Sequence, residues 1–316
     1  MKTSSGKALS DVERRTKDIY IEQHKNFTKD ERIFNRFLTV AVDPATYDLP
    51  QDWFKGKSIL DAGCGNTGYI QVAMHKLGVG KITCLDLGED WIPELRKVTE
   101  KYSIPSEKID FVAGSTNDLP FEDGTFDLVI SNGVLMHLET VELAEKALAE
   151  LTRVTVPGGY TYAYTGIDKP GIIDRFLLPA LRQAYVEDDE FRLFVDNIDP
   201  TAVVQQMREC YRTALEFDAT LPKSFYELIG ALFTLDTATF TQNALQVPVQ
   251  QGPKLTEAWA VEKLEKLGMK NVRRVKERYW QREDYRRYLA PIHYRLDLSI
   301  PKMLYGNGHV KVIAEK

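Results

Sequence analysis

Asp61-Ala62-Gly63-Cys64-Gly65-Asn66-Thr67-Gly68 follows Ser58-Ile59-Leu60 and precedes an amphipathic stretch, Tyr69 to Leu77. Together they read as a buried strand, a glycine-rich turn and a helix. Glycines at 63 and 65 let the chain turn tightly and let a ligand approach the backbone, because no Cβ intervenes. Such a turn alone is weak evidence, since a tight turn in any α/β protein can produce it. Lys81 to Asp86 reads as the next strand, and Asp86 closes it about 20 residues on from the glycines. A carboxylate there is placed to accept both hydroxyls of an adenosine ribose.

Outward from this unit the same rhythm continues. A helix is predicted through Leu95 to Tyr102, strands at Ile109–Ala113 and Phe126–Ser131, and a helix carrying Leu143, Ala147, Leu151 and Val154, stopped by Pro157-Gly158-Gly159. Tyr160 to Tyr164 reads as a fifth strand. Strands alternating with helices imply βαβ units and a mostly parallel sheet with both faces covered. From 166 to about 255 the β alternation stops and amphipathic stretches take over, as at Ile172–Tyr185, Thr201–Phe217 and Phe225–Leu235. Near Thr256, a candidate N-cap for a helix to Leu267 with Gly268 as its stop, the alternation resumes. Val272–Arg278 and His309–Ala314 read as closing strands. The expected architecture is α/β, a doubly wound sheet with an all-helical insertion after the fifth strand. Its expected parts are an N-terminal helical cap (1–56), an α/β core (57–165), the insertion (166–255) and the rest of the core (256–316).

The bulk numbers exclude several classes. The chain has 316 residues, 43% hydrophobic and 28% charged, with a net charge of −5 that argues against a dedicated nucleic-acid binder. Three cysteines without regular spacing give neither a disulfide framework nor a zinc signature, and the expected compartment is a reducing cytosol. The polar first residues lack the apolar core of a signal peptide, and no run is long and apolar enough to span a membrane. No histidine has metal-ligand spacing with another ligand, so no metal is expected.

Three details separate the adenosine-containing ligands. Asp61 stands two positions before the first glycine, where its charge would repel a diphosphate but suit the ammonium of a bound amino acid. The block Leu119-Pro120-Phe121-Glu122-Asp123-Gly124-Thr125-Phe126-Asp127-Leu128-Val129-Ile130-Ser131-Asn132 follows the third strand, and Glu150 through Gly159 precedes the fifth. With these blocks in this order, the chain resembles the class I S-adenosylmethionine-dependent methyltransferases, from about Lys57 to Tyr164 and weakly again from 256. The resemblance implies seven strands, the last antiparallel, with S-adenosylmethionine as cofactor across the carboxyl ends of the first two. It places Gly63 and Gly65 along the methionine portion, Asp61 near its ammonium, Asp86 on the ribose, Leu87 on the adenine, Thr116 with its backbone N–H toward the ring, and Asn132 beside the sulfur. Ser115 holds the place where the family often has an aspartate that accepts from the adenine amino group, and Met136 replaces the first of two frequent histidines, leaving His137.

The acceptor is less determined. Asn132-Gly133-Val134-Leu135 lacks the Pro-Pro-aromatic sequence that nucleic-acid amino methyltransferases use to clamp a flipped base. Aromatics of the insertion, such as Phe176, Tyr185, Phe191 and Phe194, suit either the walls of an apolar pocket or the insertion's own core. Glu187-Asp188-Asp189-Glu190 could draw a cationic substrate but reads more simply as a helix start. Lys270 to Arg295 holds nine Lys/Arg against three acids, an RNA-facing surface or, the preferred reading, a charged edge strand. The expectation is a small-molecule O- or N-methyltransferase with a helical lid and no nucleic-acid partner, the oligomeric state left open. The alternatives are an RNA or protein methyltransferase using the basic region, and a silent adenosyl-binding partner protein. His137 and Asp168 are the candidate general bases, and Tyr164 the candidate to orient the acceptor.

Overall fold

The structure, a computed structural model, describes residues 10–29, 31–167, 169, 171–197, 199, 202, 209, 245, 252–275, 303 and 309–316. The chain divides into two compact units, one of residues 1–168, 250–277 and 309–316, the other of 169–249 and 278–308.

The first unit is built on β1 (Ser58–Ala62), β2 (Lys81–Asp86), β3 (Ile109–Ala113), β4 (Phe126–Asn132), β5 (Thr155–Ile167), β6 (Lys270–Arg274) and β7 (His309–Glu315). They form one seven-stranded sheet in the order β3-β2-β1-β4-β5-β7-β6. β1 to β5 pair in parallel, whereas β7 runs antiparallel to both β5 and β6. The strand order reverses direction at β1 and β4, and ligands of open α/β sheets bind at the carboxyl ends beside such a point.

Alternation along the strands builds two cores. Ile59, Ile82, Cys84, Leu128 and Ile130 face α2 (Glu31–Ala41), α3 (Tyr69–Lys76) and α4 (Ile92–Lys101) through Leu38, Met74 and Leu95. Leu60, Leu85, Val129 and Val312 face α5 (Val141–Val154) and α8 (Glu257–Lys266) through Leu148, Leu151 and Leu264. A strand buried on both faces must be apolar at nearly every position, as Ile59, Leu60 and Ala62 of β1 are. Among the described residues the first helix is α1 (Asp11–Lys29), immediately before α2. Among the described residues no helix is long and apolar enough to cross a membrane, and no cluster of three His, Cys, Asp or Glu could hold a metal.

Two boundaries differ from the sequence reading. Pro157-Gly158-Gly159 does not stop α5, which ends at Val154 and passes directly into β5. Thr155 makes the change of direction, its hydroxyl donating to Leu151 O at 2.8 Å. The Pro-Gly-Gly segment is a bulge inside the strand, since pairing shifts from Phe126↔Thr155 to Leu128↔Tyr160. A bulge accommodates extra residues without breaking the ladder on either side. β6 begins two residues earlier than Val272 and ends at Arg274.

In the second unit the described residues include α6 (Leu178–Glu187) and α7 (Asp189–Asn197), preceded by a π-helical turn at Ile173–Leu177. Asp188 caps α7, accepting from Phe191 N at 3.0 Å, so the acidic run there is a helix start. Phe176 and Phe194 are exposed. The stretches Thr201–Phe217 and Phe225–Leu235 lie essentially outside the described residues.

Candidate functional site

The turn after β1 folds back on the end of β2. Gly63 and Cys64 both donate their N–H to Leu85 O, at 2.7 and 3.1 Å. Gly63 has φ +88°, and a Cβ there would lie 2.2 Å from Val134 Cγ2, so both conformation and space exclude a side chain. Gly65 N–H donates to Asp86 Oδ2 and Leu87 N–H to Asp86 Oδ1, each at 2.7 Å. These two bonds fix the Asp86 carboxylate at the strand end and leave lone pairs on both oxygens.

Above this turn lies a cavity of about 450 Å³, within the range of small-ligand sites. Gly63, Gly65, Asp86 and Leu87 line it from the first two strand ends; Ser115 and Thr116 follow β3, Asn132 ends β4 and His137 follows it. Its remaining wall was not anticipated from sequence: α1 contributes Glu13, Lys17, Tyr20 and Ile21. Glu13, Lys17 and Tyr20 recur at i, i+4 and i+7 and so share one face of the helix. Each is tied to a different loop at the carboxyl edge. Ser115 Oγ donates to Glu13 Oε1 at 3.1 Å, Lys17 pairs with Asp90, and Tyr20 Oη lies 2.7 Å from His137 Nε2. The sequence signal was the capping box Ser10-x-x-Glu13, which marks the helix start but not what the helix covers.

The remaining candidates are placed less directly. Asp61 is almost wholly buried and does not line the cavity. Its Oδ2 accepts from Gln71 Nε2 at 2.6 Å, and its Oδ1 has no hydrogen-bond partner among the described residues. Tyr164 is not part of the wall; it stands behind Gly133, whose Cβ position is 3.7 Å from its ring. Asp168 lies outside the described residues. Asn132 Nδ2 donates to Tyr69 Oη at 3.0 Å, which holds the amide at the end of β4.

Burial dominates the electrostatics. It pushes the Asp61 carboxyl up to about 7 against the opposing Gln71 bond, with the nearby Asp86 charge adding to the rise. Asp86 is raised for the same reason, opposed by the N–H groups of Gly65 and Leu87. The Tyr20 phenol is raised by burial and then by Tyr164, so it stays protonated beside the His137 ring. Burial also raises the Cys64 thiol, which leaves it a small apolar wall residue rather than a nucleophile.

The site accommodates an adenosyl amino acid. Gly63 has no room for a side chain, a fixed carboxylate closes β2, and a buried carboxylate oxygen of Asp61 lacks a partner among the described residues. Comparison with known proteins agrees. A family described as a methyltransferase domain matches residues 60–163. A ubiquinone/menaquinone biosynthesis C-methyltransferase of Roseobacter denitrificans is 29% identical over 180 residues, 52% of this chain and 70% of that protein. A probable tRNA methyltransferase 9B of Bos taurus is 30% identical over 123 residues, 38% of this chain but 24% of that protein, so the chain spans only part of the relatives it matches. Among solved structures, a complex of the Haloferax volcanii Trm112 methyltransferase activator with its methyltransferase aligns over 96% of both chains, with a TM-score of 0.50 at 12% identity. That likeness is one of fold. Residues 60–163 are thus a methyltransferase domain, and the glycine turn, the strand-end carboxylate and the sheet order around it are those of the class I S-adenosylmethionine-dependent methyltransferase fold.

Proposed function

We propose that this chain methylates the oxygen or nitrogen of a small molecule admitted beside the Tyr20–His137 pair. The observation that carries the reading is α1, whose Lys17, Tyr20 and Ile21 wall the cavity. An acceptor in this cavity is bounded by this helix, which suits a small molecule better than a folded nucleic acid. In this reading Asp86 holds the ribose hydroxyls, Leu87 and Thr116 the adenine, and the open Asp61 oxygen serves the ammonium. Gly63 and Gly65 provide the close backbone approach. S-adenosylmethionine supplies, when bound, a methyl group on a sulfonium that is ready for in-line displacement.

The chain's own part is alignment and proton handling in a site shielded from water. Asn132, held by Tyr69, lines the methyl-transfer end. Tyr20 Oη, 2.7 Å from His137 Nε2 and 3.0 Å from Nδ1, keeps the ring oriented at the rim. With a hydroxyl acceptor, His137 takes the hydroxyl proton as the oxygen forms its bond to the methyl carbon. An amine arriving unprotonated needs only the alignment. Asp168 is a second candidate base on its sequence position, with Tyr164 behind the wall to support the rim.

The test is transfer of labelled methyl to panels of phenols, alcohols and amines, with RNA as a separate arm. With a hydroxyl acceptor, His137→Ala lowers turnover on the order of 10²- to 10⁴-fold with S-adenosylhomocysteine affinity nearly unchanged. Normal turnover in His137→Ala, in Asp168→Asn and in the double variant removes the base and leaves alignment of an amine. Labelling of RNA alone overturns the small-molecule reading. The alternative rests on the basic stretch 270–295 and the tRNA methyltransferase relative. In the described part of that stretch, Arg273 pairs with Asp48 and Arg274 with Glu257, at 2.5 and 2.7 Å, which are structural uses.

A further inference from the structure

The adenine end of the cavity lacks the carboxylate expected after β3, where Ser115 stands, yet a carboxylate is present from another element. Glu13 of α1 lines the same cavity as Leu87, Ser115 and Thr116. Ser10 N–H donates to Glu13 Oε2 at 2.9 Å and Glu13 N–H donates back to Ser10 Oγ at 3.1 Å. This reciprocal cap fixes the first turn of α1 and uses one carboxylate oxygen. The other, Oε1, accepts the Ser115 hydroxyl proton at 3.1 Å. Ser115 Oγ in turn accepts from Asn117 N–H at 3.3 Å, so the hydroxyl is committed within the protein. A carboxylate oxygen has two lone pairs, and the Ser115 bond occupies one on Oε1.

We infer that Glu13, positioned by Ser115 and the α1 cap, is the specificity carboxylate that accepts a hydrogen bond from the exocyclic amino group of the cofactor's adenine. The inference rests on the cofactor reading above and adds that base recognition is divided between the β3 loop and the N-terminal helix. Ser115 acts as the orienting donor, and the negative charge comes from a residue 102 positions away in sequence. Because Lys17 and Tyr20 share the Glu13 face of α1, engaging the base also seats the helix that walls the acceptor end.

The experiment is calorimetric titration of the full chain with two probes, S-adenosylhomocysteine and its analogue carrying hydrogen in place of the 6-amino group. The wild type binds S-adenosylhomocysteine about ten- to a hundredfold more tightly than the analogue, the range of a hydrogen bond to a charged acceptor. Glu13→Ala binds the two alike, while its affinity for the analogue stays close to that of the wild type. Glu13→Gln, which preserves the cap, falls between. Ser115→Asp added to Glu13→Ala restores the preference by returning the charge to the β3 loop. A Glu13→Ala protein that keeps the full preference overturns the inference and leaves the cofactor reading intact. Equal weakening of both probes also overturns it, because that is the mark of a merely structural helix. A wild-type chain that binds neither probe overturns the cofactor reading itself.

Discussion

Asp61 is a carboxylate with one oxygen bonded to Gln71 and the other open in a nearly dry interior. Its pKa, moved from 3.8 to about 7, makes it a reporter of occupancy. The ligand-free folded state holds a proton that the unfolded chain releases, so its stability falls as pH rises from near 3.8 through about 7 and then levels off. Thermal denaturation of the ligand-free protein across this range should show the decline, and Asp61→Asn should flatten it. A cationic group on Oδ1 favours the ionised form, so affinity for S-adenosylhomocysteine should weaken as pH falls through about 7. Asp61→Asn should remove that dependence as well; an unaltered profile would take Asp61 out of the cofactor's reach. Asp86 makes a different prediction, because its oxygens anchor two backbone N–H groups besides facing the cavity. Asp86→Ala should cost about 2–4 kcal/mol in cofactor affinity with the sheet intact. Calorimetry decides it, and unchanged affinity in a folded variant excludes Asp86 from the site.

At the level of elements, the clearest local signal is the start of α8. Thr256 Oγ1 accepts from Trp259 N–H at 3.1 Å, as a Thr followed by a helical pattern predicts. Thr256→Ala should therefore lower stability by about 1 kcal/mol in denaturant titration, with little change in cofactor binding. Signals of this kind act within a few residues, and they made β1 to β4, α3, α5 and α8 legible before the structure. Pro157-Gly158-Gly159 misled because a bulge and a helix stop use the same residue types, and only pairing with β4 tells them apart. The wall made by α1 was illegible for a related reason. Glu13, Lys17 and Tyr20 meet partners 102, 73 and 117 residues away, and nothing in the local pattern names those partners. The site thus divided by range: the glycine turn and Asp86 could be read, whereas the carboxylate facing Ser115 and the phenol facing His137 could not.

On the scale of the molecule, the stretch between β5 and α8 leaves and rejoins the sheet at one place. Gly166 ends a bulge in β5 with its Cβ position 3.1 Å from Met136 Sδ, and Gly252 N–H donates to Met136 O at 3.1 Å. A Cβ on Gly252 would lie 2.2 Å from that same carbonyl oxygen, so the return path has no slack. Replacing residues 169–249 and 278–308, the two stretches of the second unit, each with a short flexible linker should therefore leave the sheet and its affinity for S-adenosylhomocysteine in place. Methyl transfer to the natural acceptor should be lost if the second unit contributes to acceptor binding. A soluble deletion with full turnover would assign the acceptor to the sheet unit alone. Two chain ends that meet beside one methionine also define a cassette. The second unit takes in 278–308 as well, so grafting that unit onto another sheet needs two pairs of breakpoints, at 168/250 and 277/309, and both must close on the sheet if the residues of the glycine turn are to keep their places.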